Sequence, residues 1–182
     1  MGNGADKIIK ALERVSVKPS GVFATDGFVR DKRFHGMSLT TYSALKERFG
    51  DMTVLLCFGS SRPEVLENIN RIAAEQELLV PDVPVYGDGL FDSEYAAAHT
   101  EELLWVYSRL ADEKSRETLE NTVNFKLSGK PEYLYRCEVS HDEPFQSFFT
   151  LCDDESYLDL GAYNGDTVLE FIQKTGKYKS IT

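Results

Sequence analysis

Apolar and polar positions along the first half of this chain alternate between two periods. Asp6 to Val15 places Ile8, Ile9, Leu12 and Val15 at helical spacing and predicts a helix, whereas Gly21-Val22-Phe23-Ala24-Thr25 is a short apolar run between turn residues and predicts a strand. Thr41 to Phe49 predicts a second helix and Thr53 to Phe58 a buried strand. Ser61-Arg62-Pro63-Glu64 reads as a capping box that opens a helix running to about Gln76, and Leu78-Leu79-Val80 closes the series as a short strand. Strands and helices in this alternation argue for a parallel sheet covered by helices.

From Pro81 to Asp92 the pattern breaks, because its prolines and glycines deny both a helix and a central strand. Glu101 to Leu110 and Lys114 to Phe125 then resume as helices, charged on one side and apolar on the other. Leu127 to Pro131 ends that section, Pro131 to Leu134 starts one more helical turn, and Glu143 to Leu151 is apolar enough to pack without declaring its type. The segment from Tyr157 to Ile172 reads as a short strand, a glycine turn and the first turns of a helix, with Thr167 and Glu170 as the capping box. The expected organisation is an N-terminal domain over 1–92, a helical connector over 93–150, and a third segment over 151–182.

Composition narrows the classes. The 182 residues are 42% hydrophobic and 12% aromatic, enough to build a globular core. No apolar run approaches the ~20 residues of a membrane span, and Met1 to Lys10 lacks the apolar stretch of a signal peptide, so a cytoplasmic protein without a membrane partner is expected. A formal charge of -10 argues against nucleic acid, whose binding draws on Lys and Arg neutralising phosphates. Cys57, Cys137 and Cys152 lie far apart with no paired spacing, which suggests neither a disulfide framework nor a zinc site. Cys57, inside Val54 to Phe58, reads as a small core residue. His35, His99 and His141 are equally scattered, and His141-Asp142-Glu143 reads as a solvated loop because adjacent residues rarely converge on one ion.

Two glycine corners carry the candidate chemistry. Gly2 and Gly4 precede the first helix and Asp26 follows the next strand, a spacing like that of a dinucleotide fold in which the acidic side chain takes ribose hydroxyls. Lys7 stands at the third glycine position and no strand precedes the glycines, so a Rossmann-like domain that binds nothing there is the competing reading. The second corner has strand, glycines, cap and helix in order. Asp159 at the strand end can orient the turn, and amides from Gly161 to Thr167 with the helix N-terminus favour a ligand carboxylate. A generic strand-turn-helix unit is the alternative. Asp112-Glu113-Lys114-Ser115-Arg116 reads as a charged helix start.

The spacing of Asp159, Gly161 and Gly165 resembles motif I of the class I S-adenosylmethionine-dependent methyltransferases, and LDLGAYNGDT over 158–167 resembles the FkbM family in particular. The segments 22–36, 80–92, 110–134 and 157–171 are similar to members of that family in which a Rossmann-like region precedes the methyltransferase domain. The resemblance implies an α/β fold made of a Rossmann-like parallel-sheet domain, a helical connector and the first βα unit of a methyltransferase domain. It implies S-adenosylmethionine as cofactor and a hydroxyl of a saccharide or other small molecule as methyl acceptor. Asp159, Gly161, Ala162, Tyr163, Asn164, Gly165, Asp166 and Thr167 would line the cofactor. On the family's pattern the ribose-binding acidic residue, the adenine pocket and any general base would fall beyond Thr182. The expectation is therefore a domain cut short after motif I, with no catalytic residue assigned and with self-association through the C-terminal segment as one way to cover its apolar residues. A nucleotide or nucleotide-sugar site at Gly2, Gly4 and Asp26, or a non-catalytic docking module, are the rival readings.

Overall fold

The computed structural model describes residues 3–24, 33–84, 87, 89–140, 142–143 and 149–182, and divides the chain into two compact units, Met1–Cys137 and Glu138–Thr182. In the first unit, α1 (Asn3–Arg14) packs its apolar stripe inward through Ala5, Ile8 and Ile9. The strand β1 (Val22–Ala24) pairs in parallel with β3 (Met37–Thr41), which in turn pairs antiparallel with β2 (Arg33–Phe34). The β2–β3 hairpin was not foreseen. Its two-residue turn, His35-Gly36, has positive φ at both positions, +47° and +79°, the twist that suits a tight hairpin. Thr25, the expected end of the first strand, lies outside the described residues.

Thr41 caps α2 (Tyr42–Phe49) by accepting a hydrogen bond from Ala44 N at 3.1 Å. β4 (Thr53–Leu55) pairs in parallel with β5 (Glu77–Leu79), and α3 (Pro63–Glu75) connects them. Three expectations need correction here. The sheet is not one parallel layer: among the described residues the first unit holds a three-stranded mixed sheet and a separate two-stranded parallel one. The strand expected over Thr53 to Phe58 leaves the ladder after Leu56 N bonds Leu79 O at 2.8 Å, and Phe58 is exposed. The capping box at Ser61 does not form either. Pro63 takes the first helical position, where its missing N–H is harmless, so the cap falls on Arg62, without a side-chain cap bond, and Arg62 pairs with Glu64 instead.

Tyr42, Val54, Ile72 and Leu78 form the core between these layers, with Phe23, Met52, Ile69 and Val80 packed around them. Tyr42 is 2% exposed and turns its hydroxyl out to Glu75 Oε2 at 2.8 Å, while Phe23 lies against its ring at 5.6 Å. Gln76 is buried with both ends of its amide used: Oε1 accepts from Met52 N at 2.6 Å and Nε2 donates to Gly50 O at 3.3 Å.

Beyond Pro81 to Asp92, whose described residues form no regular element, come α4 (Ser93–Ala98), α5 (Thr100–Arg109), α6 (Glu113–Ser128) and α7 (Glu132–Cys137). The short α4 was not foreseen; Asp92 caps it by accepting from Tyr95 N at 2.8 Å. Asp112 does the same for α6 through Ser115 N, as a charged helix start should. At the far end of α6, Gly129 takes the left-handed conformation and its carbonyl accepts from Val80 N at 2.6 Å. Lys126 pairs with Asp82 at 2.5 Å beside that contact, so α6 is fixed directly to the end of β5.

The second unit is a strand-helix-strand, not the single strand and helix expected of it. β6 (Ser156–Tyr157) pairs in parallel with β7 (Ser180–Ile181), and α8 (Asp166–Thr175) connects them. Thr182 N to Tyr157 O and Asp159 N to Thr182 O, both 2.9 Å, extend the ladder past the strands. Phe171 is buried on Tyr157, ring centroids 4.4 Å apart, with Tyr178 at 6.2 Å. Leu158, Leu160 and Leu169 are exposed, so this small core covers only part of the apolar surface. Most of Glu143 to Leu151 lies outside the described residues.

Glu75 ties α2 to α3 by accepting from Tyr42 and Lys46, and these contacts hold its carboxyl below the usual carboxylate range, the Lys46 hydrogen bond foremost. A depressed folded-state value stabilises the fold above the ordinary carboxylate range and loses that contribution as pH falls through the folded value. We expect the gap in urea midpoint between the wild type and Glu75→Gln to narrow steadily from pH 7 to below about pH 4. A gap independent of pH in paired denaturation series would show that Glu75 gives no ionic stabilisation.

Candidate cofactor corner

The C-terminal glycine turn lies between the carboxyl end of β6 and the start of α8. Three of its residues have positive φ: Gly161 at +109°, Tyr163 at +39° and Gly165 at +78°. These angles fold the chain back within six residues and place Gly161, Ala162, Tyr163 and Asn164 outside the regular hydrogen-bond ladders of strand and helix. An added Cβ on Gly161 would meet no atom within 4 Å, so the space beside the turn is open.

Thr167 does not cap α8, which corrects the capping box drawn from its spacing to Glu170. The cap is Gly165, in the left-handed conformation and with no side chain to contribute, and Thr167 lies one residue inside the helix. Its hydroxyl instead donates to Asp159 Oδ2 at 2.5 Å. That bond spans the whole turn and fixes the strand end to the helix start. The first helical amides take oxygens from the turn itself: Asp166 N donates to Asn164 Oδ1 at 3.2 Å and Thr167 N to Asp166 Oδ1 at 3.0 Å. Asp166 also puts a negative charge at the positive end of the helix dipole. A ligand carboxylate would therefore find its amides in the 161–164 stretch rather than at 166 and 167.

All eight expected residues, Asp159 and Gly161 to Thr167, thus meet in one turn. The sequence pointed to Asp159 and Thr167 separately, but not to their bond, because a spacing of eight residues across a turn carries no periodic signal.

The N-terminal corner is built differently. Gly2 and Asp26 lie outside the described residues. Gly4 is required by packing: a Cβ there would sit 2.7 Å from the carbonyl oxygen of Cys57, just past the end of β4. Lys7 Nζ donates to Pro84 O and to Gly87 O, and Asp6 holds His35 Nε2 at 2.8 Å. The charged side chains of this first turn are engaged by the protein's own loops.

Other reactive groups are accounted for locally. Burial pushes the Cys57 thiol up, and its Sγ donates to Leu55 O. The Asp154 carboxylate pushes the Cys152 thiol up to about 11, which keeps it protonated at neutral pH. His99 stacks on Tyr95 at 3.9 Å, and Asp142 pairs with Lys174. His141 lies outside the described residues. Among the described residues, no group of His, Cys, Asp and Glu side chains is placed to hold a metal ion, and no helix is long and apolar enough to cross a membrane.

The fold has a known counterpart. The crystal structure of the methyltransferase FkbM from Methylobacillus flagellatus KT superposes with a TM-score of 0.59 over 88% of this chain, at 19% sequence identity. The chain spans 47% of the length of that structure. No family model and no curated protein matches the sequence. The mixed α/β fold is therefore similar to the matching part of an FkbM methyltransferase, at an identity that speaks for fold alone.

Gly161→Val tests the turn directly. A β-branched residue at a φ of +109° is strained whatever the space around it, at a cost of about 1–3 kcal/mol. We expect amide exchange to accelerate over 156–182 and to stay unchanged within Met1–Cys137. Equal protection of the tail in both proteins would mean that the turn does not depend on this glycine.

Proposed function

We propose that this chain belongs to an S-adenosylmethionine-dependent methyltransferase and that the turn over 159–167 holds the amino-acid end of the cofactor. The observation that carries this reading is the Asp159–Thr167 bond across a glycine turn, at the carboxyl end of a strand in a strand-helix-strand unit. Ligands of open α/β sheets sit at that end of the strands. The fold likeness to an FkbM methyltransferase supports the same reading.

The residues present fit one end of such a cofactor. Positive φ at Gly161 and Gly165 lets the backbone turn without a side chain in the way, and the space beside Gly161 is open. The 161–164 stretch lies outside strand and helix, where its amides suit a carboxylate, while the Asp159 and Asp166 carboxylates suit the cationic groups of an amino acid. Thr167 acts on the ligand only through Asp159 and the turn, which makes it a positioning residue.

Bound S-adenosylmethionine supplies an electrophilic methyl group for in-line attack by an acceptor oxygen. The part of this turn is to hold and orient, the main requirement of a transfer governed by alignment. The acceptor we propose is a hydroxyl of a saccharide or other small molecule, and the setting a cytoplasmic one without nucleic acid. No residue of this chain is assigned as the general base. Self-association through the second unit would cover Leu158, Leu160 and Leu169.

One corner grips one end of the ligand, so a dissociation constant of roughly millimolar order is expected. Titration of the isotope-labelled 182-residue chain with S-adenosylmethionine should shift amides within 159–167 and leave those of Gly4 to Lys7 in place, and Thr167→Val should weaken the response severalfold. Shifts centred on the N-terminal corner, or none at ligand concentrations of several millimolar, would overturn the assignment.

A further inference from the structure

Helix α5 is ten residues long and buries none of them. Its inner stripe, Leu103, Tyr107 and Leu110, is half-buried against α6, where the Arg116 guanidinium lies 6.0 Å from the Tyr107 ring and donates to Leu110 O at 2.8 Å. The opposite stripe, Glu101, Leu104, Trp105 and Ser108, follows the spacing of one helix face. Leu104 is 62% and Trp105, the single tryptophan of the chain, 58% exposed. Charges close this stripe at both ends, Glu101 and Glu102 in the first turn and Arg109 in the last. Among the described residues neither glutamate has an ion-pair partner, and Arg109 lies over the Trp105 ring at 4.3 Å without one. Glu102 and Arg109 stand two turns apart on one flank, about 10 Å, too far to pair within the helix. The helix dipole accounts for an acidic first turn and a basic last one, but not for two large apolar side chains left in water between them.

An order of acid, apolar and base along one face is complementary to its own reverse. We propose that α5 is the contact of a two-fold homodimer, in which a second copy of the chain lies antiparallel across this helix. With the two-fold axis at Leu104 and Trp105, Arg109 of each copy meets Glu102 of the other, and Ser108 meets Glu101. The apolar side chains at the centre of both copies then cover one another. Parallel pairing would instead set Glu102 against Glu102, so the charge order selects the direction as well as the occupant. A central tryptophan flanked by arginine is also the composition that anchors protein interfaces.

A contact built on one short helix is at the small end of specific interfaces, so the dimer is weak. Sedimentation equilibrium of the 182-residue chain from about 10 µM to about 1 mM should show the mass rising from monomer to dimer. Emission from Trp105 should move to shorter wavelength over the same range as the indole leaves water. Trp105→Ala, Glu102→Arg and Arg109→Glu should each weaken association at least about tenfold. Combining E102R with R109E should restore it, because the two charges then meet in exchanged places. All three positions are exposed, and far-ultraviolet circular dichroism confirms that each variant is folded before it is weighed. A chain that stays monomeric throughout overturns the proposal. Association indifferent to these substitutions belongs to another surface, such as that of Leu158, Leu160 and Leu169, and overturns it too. A double variant no better than the single ones would show that α5 does not pair antiparallel with its copy.

Discussion

Short strands are the constraint on which everything else in this structure depends. Among the described residues the longest strand is Met37–Thr41, and three of the seven have only two residues. Ladders this short contribute few hydrogen bonds and little twist-driven packing. The layers are held by the apolar core around Tyr42 and by polar side chains that reach across the ends of elements. Gln76 links the start of β4 to the end of α2, Glu75 joins α2 to α3, and Asp159 joins β6 to α8. No buried side-chain nitrogen or oxygen among the described residues is left without a hydrogen-bond partner.

The same constraint explains what the sequence disclosed and what it hid. Helices were legible because their signals are local: Ile8 and Ile9 on one stripe of α1, Thr41 and Asp112 as caps, Gly129 at a C-terminus. Strands of two residues leave almost no periodic trace. The β2–β3 hairpin could have been found through His35-Gly36, whose chemistry suits a two-residue turn, but β7 had only Ser180-Ile181 to announce it. The division into separate small sheets follows from pairings between distant residues, which no local pattern encodes. At the candidate site, glycine spacing located the turn correctly and misplaced its hinge: Thr167 was read as a cap and serves as a cross-brace.

The two glycine corners show how one residue type meets two different demands. Gly4 has ordinary helical surroundings and is needed because a neighbouring carbonyl leaves no room for a Cβ. Gly161 has room to spare and is needed because its φ lies where other residues are strained. A sequence pattern scores the two alike. The first is a packing device between helix and strand, and the second shapes a surface that the chain itself leaves open.

The clamp between β5 and α6 has a further consequence for how the chain can vary. Lys126 and Asp82 meet across 44 residues of sequence, with Val80 and Gly129 joined beside them. Between them α4 and α5 form an excursion within the first unit, whose opening residues Pro84 and Gly87 are also held by Lys7 of α1. The entropy of closing such an excursion rises only with the logarithm of its length, so doubling it would cost about 0.6 kcal/mol. Helices α4 and α5 can therefore lengthen, shorten or be exchanged in related chains without shifting β5 or α6. The segment of α4 and α5 is a replaceable module in a frame that is otherwise tightly cross-braced.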